Sequence, residues 1–187
     1  FRSEEFLDVV ERGEWRGALA MQARASSNLT YADRAGNIFY IWNGTLPALP
    51  HPPTGDSAST AVRTTREVWS HLVPLDSMPQ VKNPPDGYVQ NENSSPHFTN
   101  LKAVLSPAHL PPNVESPSLS LRSQHALELI AKPGKKVTLE DVIQLKHSYR
   151  MVLADRVKGE LLAAAAAHPG SGVAEGAAIL GAWDNTA

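Results

Sequence analysis

Apolar side chains recur near helical spacing over residues 3–22, where Phe6, Leu7, Val10, Trp15 and Leu19 fall on one stripe, although Gly13 and Gly17 weaken its middle. The pattern then changes period. Asn28 to Ala32 and Ile38 to Trp42 read as two strands, the second dense in aromatic and β-branched residues. Between them Asp33-Arg34-Ala35-Gly36-Asn37 predicts a tight turn with Gly36 at positive φ. Residues 43–66 are poor in large apolar groups and rich in Pro, Ser, Thr and Gly, which predicts a long surface loop. Trp69 to Pro96 reads as ordered but irregular, with a short strand over Gly87-Tyr88-Val89-Gln90-Asn91, and residues 96–118 form a second, Pro-rich loop. The last third reads as helical. Ser120 to Ala131 is one helix, closed by Pro133-Gly134. Thr138 and Asp141 form a capping-box pattern that starts a second, which would bury Val142, Leu145, Tyr149, Val152, Leu153, Arg156 or Val157, and Leu161 before ending at Pro169-Gly170. A final short helix covers Ala174 to Trp183.

Composition narrows the function classes. The 187 residues are 42% hydrophobic and 19% charged, enough for one domain with a core. The net charge is −2 and the 17 basic residues are scattered, so neither nucleic acid nor an acidic membrane is an expected partner. The chain has no Cys, which excludes disulfides and thiolate metal sites. Its longest apolar stretch, Leu161 to Ala167, is far too short to span a bilayer. The opening Phe-Arg-Ser-Glu-Glu lies inside a helical pattern, so both ends read as cuts within a larger protein.

No complete active site is evident. There is no phosphate loop, no His-Glu-x-x-His pattern and no Gly-x-Ser-x-Gly elbow. The histidines at 51, 71, 97, 109, 125, 147 and 168 show no ligand spacing and read as solvated or singly hydrogen-bonded. The unusual stretch runs from Pro79 to Pro96, where Asn83, Gln90, Asn91 and Asn93 crowd around an expected buried strand. An unmatched buried amide costs about 1–3 kcal/mol, so such groups either pin a loop or donate to a ligand. On the residues alone, loop-pinning is the better reading.

The run Asn83-Pro84-Pro85-Asp86-Gly87-Tyr88-Val89-Gln90-Asn91-Glu92-Asn93-Ser94-Ser95-Pro96 resembles a segment of the penicillin acylase family that ends in Asn-x-Asn before Ser-Pro or a similar pair. Tyr31-Ala32-Asp33 with Gly36-Asn37-Ile38-Phe39-Tyr40 is similar to the family's hairpin, and Arg122 to Ile130, Lys132-Pro133, the Thr138 helix and Trp183-Asp184 follow in the family's order. The Gly-Tyr-x-x-Asn-x-Asn-x-x-Pro run is the most specific of these. The resemblance implies an α+β fold: part of the four-layer αββα sandwich of N-terminal-nucleophile hydrolases, with residues 1–187 an internal piece of the single catalytic domain of the large (β) subunit. It implies partners too, namely a small N-acylated substrate and the small (α) subunit of the same self-cleaving precursor, and a periplasmic or secreted location.

In this family a new N-terminal residue, usually Ser, attacks an amide carbonyl, and its own α-amino group is the base. Such an amine titrates near pH ~7.7–8.0 and so accepts a proton at neutral pH. The resemblance carries the side-chain oxyanion donor onto Asn93, leaves Asn91 as support for the strand, and places the family's active-site Arg at Arg122. Read without the family, Arg122 is an exposed arginine at a helix start. The nucleophile and the backbone donor would lie before Phe1; Ser3, Ser26 and Ser27 come too late in the family's order. Some relatives bind calcium through an Asp soon after the oxyanion Asn, but only Glu115 offers a carboxylate between Asn93 and Arg122, so no cofactor and no metal are expected. Glu92 either shapes the pocket wall or faces solvent. Trp15, Trp42 and Trp69 suit core packing better than an acyl pocket. The sequons at Asn28, Asn43 and Asn93 are discounted because the resemblance is bacterial. Candidate substrates are β-lactam side-chain amides, acyl-homoserine lactones and acylated lipopeptides. A non-catalytic relative of the family, or a loop-rich secreted structural domain with a chance match, are the competing readings.

Overall fold

The computed structural model describes residues 3–20, 27–48, 64–65, 71–131 and 136–187. The expected loop at 43–66, Trp69 and the Pro133-Gly134 break therefore lie wholly or mostly outside the described residues. The chain divides into two compact units, Phe1–Leu119 and Ser120–Ala187.

In the first unit the expected helix over 3–22 is two: α1 (Ser3–Glu11) and α2 (Trp15–Ala20). Gly13 adopts φ +77. Its N–H reaches Val10 O at 2.9 Å and the Glu14 N–H reaches Val9 O at 3.0 Å. These two bonds close the helix in a Schellman motif, for which a left-handed glycine is the favoured residue. The hairpin forms as the alternation predicts, with β1 (Ser27–Ala32) antiparallel to β2 (Ile38–Asn43) in the register Ala32 to Ile38 and Ser27 to Asn43. Asp33 builds the turn by accepting the backbone and side-chain N–H of Asn37, both at 2.9 Å. Those bonds hold its carboxyl below the usual carboxylate range.

A third strand, β3 (Gln80–Lys82), pairs antiparallel with the far side of β2, so β2 is central. Successive side chains of a strand point to opposite faces. On one face Phe39 and Ile41 join Leu19, Leu46, Val73, Met78 and Val114 in the apolar core, against which Trp42 packs partly buried. Trp42 is thus a core residue, as expected of it. Tyr40, between Phe39 and Ile41, is fully buried and turns the other way.

The strand expected over Gly87–Asn91 does not form. Gly87 has φ +72 after the Pro84 turn, and the backbone beyond it bonds to the following loop rather than to the sheet. The Gln90 N–H donates to Thr99 O at 3.1 Å, and the Asn100 amide donates to Tyr88 O at 2.9 Å. Residues 96–118 contain two 3₁₀ turns, Pro96–Phe98 and Pro107–His109.

The second unit is helical: α3 (Leu121–Ile130), α4 (Leu139–Lys146), α5 (Val152–Ala167) and α6 (Val173–Ala182). Ser120 caps α3, and Thr138 with Asp141 forms the full reciprocal capping box of α4. The single helix expected from Thr138 to the Pro169-Gly170 stop is interrupted at residues 147–151. There the backbone bonds to the C-terminal tail: the Met151 N–H reaches Asn185 O at 2.8 Å and the Ala187 N–H reaches Tyr149 O at 3.0 Å. Burial along these helices also differs from the expected pattern. Val152 is buried, but Val142, Tyr149, Leu153 and Leu161 are exposed.

Candidate active site

The loop after Tyr88 is held by polar side chains. Asn100, fully buried, donates to the Asp86 carboxylate at 2.6 Å and to Tyr88 O, while its own oxygen accepts the N–H groups of Lys102 and Ala103. Its capacity as donor and acceptor is thereby used on the loop itself. Ser95 bonds Ser118 in both directions, and Asn113 donates to Pro47 O at 2.8 Å. Most of the amides therefore pin the chain, as the residues alone suggested.

Asn91 also supports the loop, though no strand is present for it to support. Its Oδ1 accepts the Asn93 N–H at 2.8 Å and its Nδ2 donates to Ser94 O at 3.0 Å. Asn93 sits on this small turn with φ +66, a left-handed conformation that Asn tolerates better than most residues. Its side chain is exposed. Between the two, Glu92 turns the other way, and both of its carboxylate oxygens are withdrawn from solvent.

Behind this turn lies a buried polar cluster that the sequence did not reveal. The Tyr40 hydroxyl donates to Asn28 Oδ1 at 2.5 Å. Burial raises its pKa; the Thr99 hydroxyl beside it opposes the shift, and the negative charges of Glu115 and Glu92 add to it. His97 is 2% exposed and has both ring nitrogens against carbonyl oxygens, Nδ1 2.6 Å from Leu105 O and Nε2 3.0 Å from Glu115 O. Carbonyls only accept, so both contacts are hydrogen bonds when the ring carries both protons. This histidine is a structural tie, not the solvated or singly bonded residue expected. The one cue in the sequence was its place after Pro96 in an otherwise uncharged stretch.

Arg122 belongs to the second unit, in the first turn of α3, and is exposed. It lines a cleft of about 580 Å³ together with His125, Lys146, Ser148, Arg150 and Leu153. His125 Nε2 lies 3.0 Å from the Ser148 hydroxyl, and Arg150 is engaged by Glu128 at 2.6 Å and Asp155 at 2.5 Å. Among the described residues no group of three or more His, Asp or Glu is arranged to hold a metal ion. No helix among them is long and apolar enough to cross a membrane.

An exposed amide on a turn pinned from within, beside a short antiparallel sheet with helices, defines an α+β scaffold that presents a hydrogen-bond donor at its surface. The solved structure of a thermostable penicillin G acylase from Alcaligenes faecalis has the same fold over 93% of this chain, with a TM-score of 0.57 and 22% identity; the match covers 30% of that chain. The fold is therefore part of the N-terminal-nucleophile hydrolase sandwich. The family model for penicillin amidase matches residues 9–187, and the chain belongs to that family. A penicillin G acylase of Escherichia coli is 36% identical over 91 residues, covering 44% of this chain and 10% of the relative. The chain thus spans about a tenth of that relative's length and under a third of the solved one.

Proposed function

We propose that this chain is part of an enzyme that removes an acyl group from a small N-acylated molecule, with the Asn93 amide as oxyanion donor. The nucleophile in this reading is an N-terminal Ser freed by self-cleavage of a precursor and supplied from outside these residues. Its α-amine takes the hydroxyl proton, and attack on the amide carbonyl places negative charge on the former carbonyl oxygen. A pre-aimed amide N–H stabilises that charge without reorganising. The partners are the small subunit of the same precursor and a substrate of the penicillin, acyl-homoserine-lactone or lipopeptide type, in the periplasm or outside the cell. Arg122 is assigned the orienting of the Asn93 amide or of the nucleophile's surroundings, for which its fixed fork of donors is suited.

The observation that carries the reading is the position of Asn93: the family's motif residue stands exposed on a turn that the Asn91 side chain pins from within. The test is Asn93→Gly in the complete protein that contains this chain. Glycine keeps the φ of +66 accessible. Turnover of a chromogenic N-acyl substrate should fall by about 10²–10³ with little change in KM. Near-normal turnover removes Asn93 from the reaction, and a wild-type protein inert toward every N-acyl substrate tried favours a binding relative. The isolated 187-residue chain should hydrolyse nothing.

A further inference from the structure

The spacing of Asn91 and Asn93, with one residue between them, has a physical meaning of its own. An Asn side chain readily bonds the backbone two residues on, and Asn tolerates the left-handed region better than most residues. Each habit is used once here. Asn91 Oδ1 accepts the Asn93 N–H at 2.8 Å, and Asn91 Nδ2 donates to Ser94 O at 3.0 Å, so one carboxamide grips the turn at two successive residues. Asn93 sits at φ +66. A Cβ makes that conformation unfavourable, so it persists where neighbouring contacts hold it. The ends of the turn are tied as well. Before it, Gln90 donates its backbone N–H to Thr99 O at 3.1 Å and its side chain to Phe98 O at 3.0 Å. After it, the buried Ser95 hydroxyl donates to Ser118 O at 3.2 Å and accepts the Ser118 N–H at 3.0 Å. Of these bonds, the one to Asn91 Oδ1 is the one that reaches Asn93. A backbone held at that N–H sets the direction in which the Asn93 Cβ, and the exposed amide beyond it, leave the chain.

We propose that Asn91 is a positioning residue for the reaction, whose side-chain oxygen holds the Asn93 backbone in its left-handed turn and thereby aims the Asn93 amide. The proposal rests on the reading of Asn93 as oxyanion donor. Both ends of the Asn91 carboxamide are engaged inside the turn, so it is assigned no contact with substrate and its effect passes through Asn93. An oxyanion donor works by being aimed before the charge forms, so slack in its backbone lowers kcat more than substrate affinity. What position 91 must supply is an acceptor at the right reach. Asp supplies one, Gln carries its amide one methylene too far out to close the same turn, and Ala supplies none.

The test is a double-mutant cycle in the complete protein, using Asn91→Ala, Asn91→Gln and Asn91→Asp with Asn93→Gly, and kcat and KM measured on one chromogenic N-acyl substrate. Asn91→Ala and Asn91→Gln should each lose about tenfold in kcat with KM held within about twofold, and Asn91→Asp should stay within about threefold of the wild-type kcat. In the Asn93→Gly background all three should change kcat by less than about twofold, since the group they position is gone. A wild-type kcat in Asn91→Ala overturns the proposal. So does an Asn91→Asp as impaired as Asn91→Ala, because the oxygen is then not what matters. An equal loss in both backgrounds overturns it too, since that marks general destabilisation. Should Asn91→Ala fail to accumulate, the Asp and Gln variants decide: a higher kcat for Asp supports the proposal and equal values overturn it. If Asn93→Gly is itself near-normal, the oxyanion reading and this proposal fail together; if Asn93→Gly is impaired while Asn91→Ala is not, only this proposal fails.

Discussion

The two units differ in what they enclose: the first surrounds both an apolar core and a set of polar side chains, and the second encloses little of either kind among the described residues. In the first, the fully enclosed residues include Asn43, Ser95, His97, Thr99 and Asn100, and the loop they hold has little regular structure. In the second, most of the backbone is satisfied inside helices, and among the described residues little is enclosed beyond Ser123, Leu127, Val152 and Ala154, while Leu139, Ile143, Leu153 and Ile179 are half or more exposed. An irregular backbone cannot bond to itself in a ladder, so side chains must take up its N–H and C=O groups. A helix needs no such help, and its side chains are free to serve packing alone. The loop of the first unit therefore gets its shape from polar groups, beside the apolar core that packs the sheet.

The sharpest way to break this contrast is at Asn100. Asn100→Leu has similar bulk but strands Asp86, Tyr88 O and the N–H groups of Lys102 and Ala103, and should destabilise the first unit by about 3 kcal/mol or more, measured by denaturant unfolding of the complete protein. His97→Phe should cost somewhat less, about 2 kcal/mol, because it abandons the two carbonyls of Leu105 and Glu115 while keeping a ring in place. Hydrogen exchange should rise at residues 97–105 in that variant and stay unchanged at 152–167.

A smaller effect sits in the second unit and depends on pH. The Asn185 side chain and Arg150 hold the Asp155 carboxyl below its ordinary range. A depressed folded value means the contribution is complete above the unfolded pKa of about 4 and is lost as pH falls through the folded value. Exchange at residues 185–187 should accelerate below about pH 4 in the wild type and lose that step in Asp155→Asn. Least of all, Leu139→Gln should leave stability within about 0.5 kcal/mol, since the side chain is 70% exposed; a large loss there would mean the exposed face of α4 is covered in the complete protein.

What the sequence disclosed follows the range of the interactions involved. The hairpin and the Thr138 cap are local: Asp33 and Asn37 sit four residues apart, and Thr138 and Asp141 three, so the pattern contains the whole device. The break at 147–151 comes from bonds to Asn185 and Ala187, more than thirty residues away, and nothing near Tyr149 announces it. The lost strand at 87–91 is the same case, since its carbonyl and N–H are claimed by Asn100 and Thr99. Gly13 was visible, but a good apolar stripe on both sides outweighed it. Of the site, Asn93 was accessible only through the family's motif, because an exposed Asn on a turn has no signature of its own.

The strand order β1-β2-β3 leaves one flank of β1 with no strand beside it among the described residues. Its six residues, Ser27–Ala32, carry a row of amide and carbonyl groups along that flank, with Leu29 and Tyr31 on one and the same face. A chain of this length prepared by itself would add strands from other copies along that flank. Its light scattering should then grow with concentration and with time, and purification at low concentration would be the practical remedy.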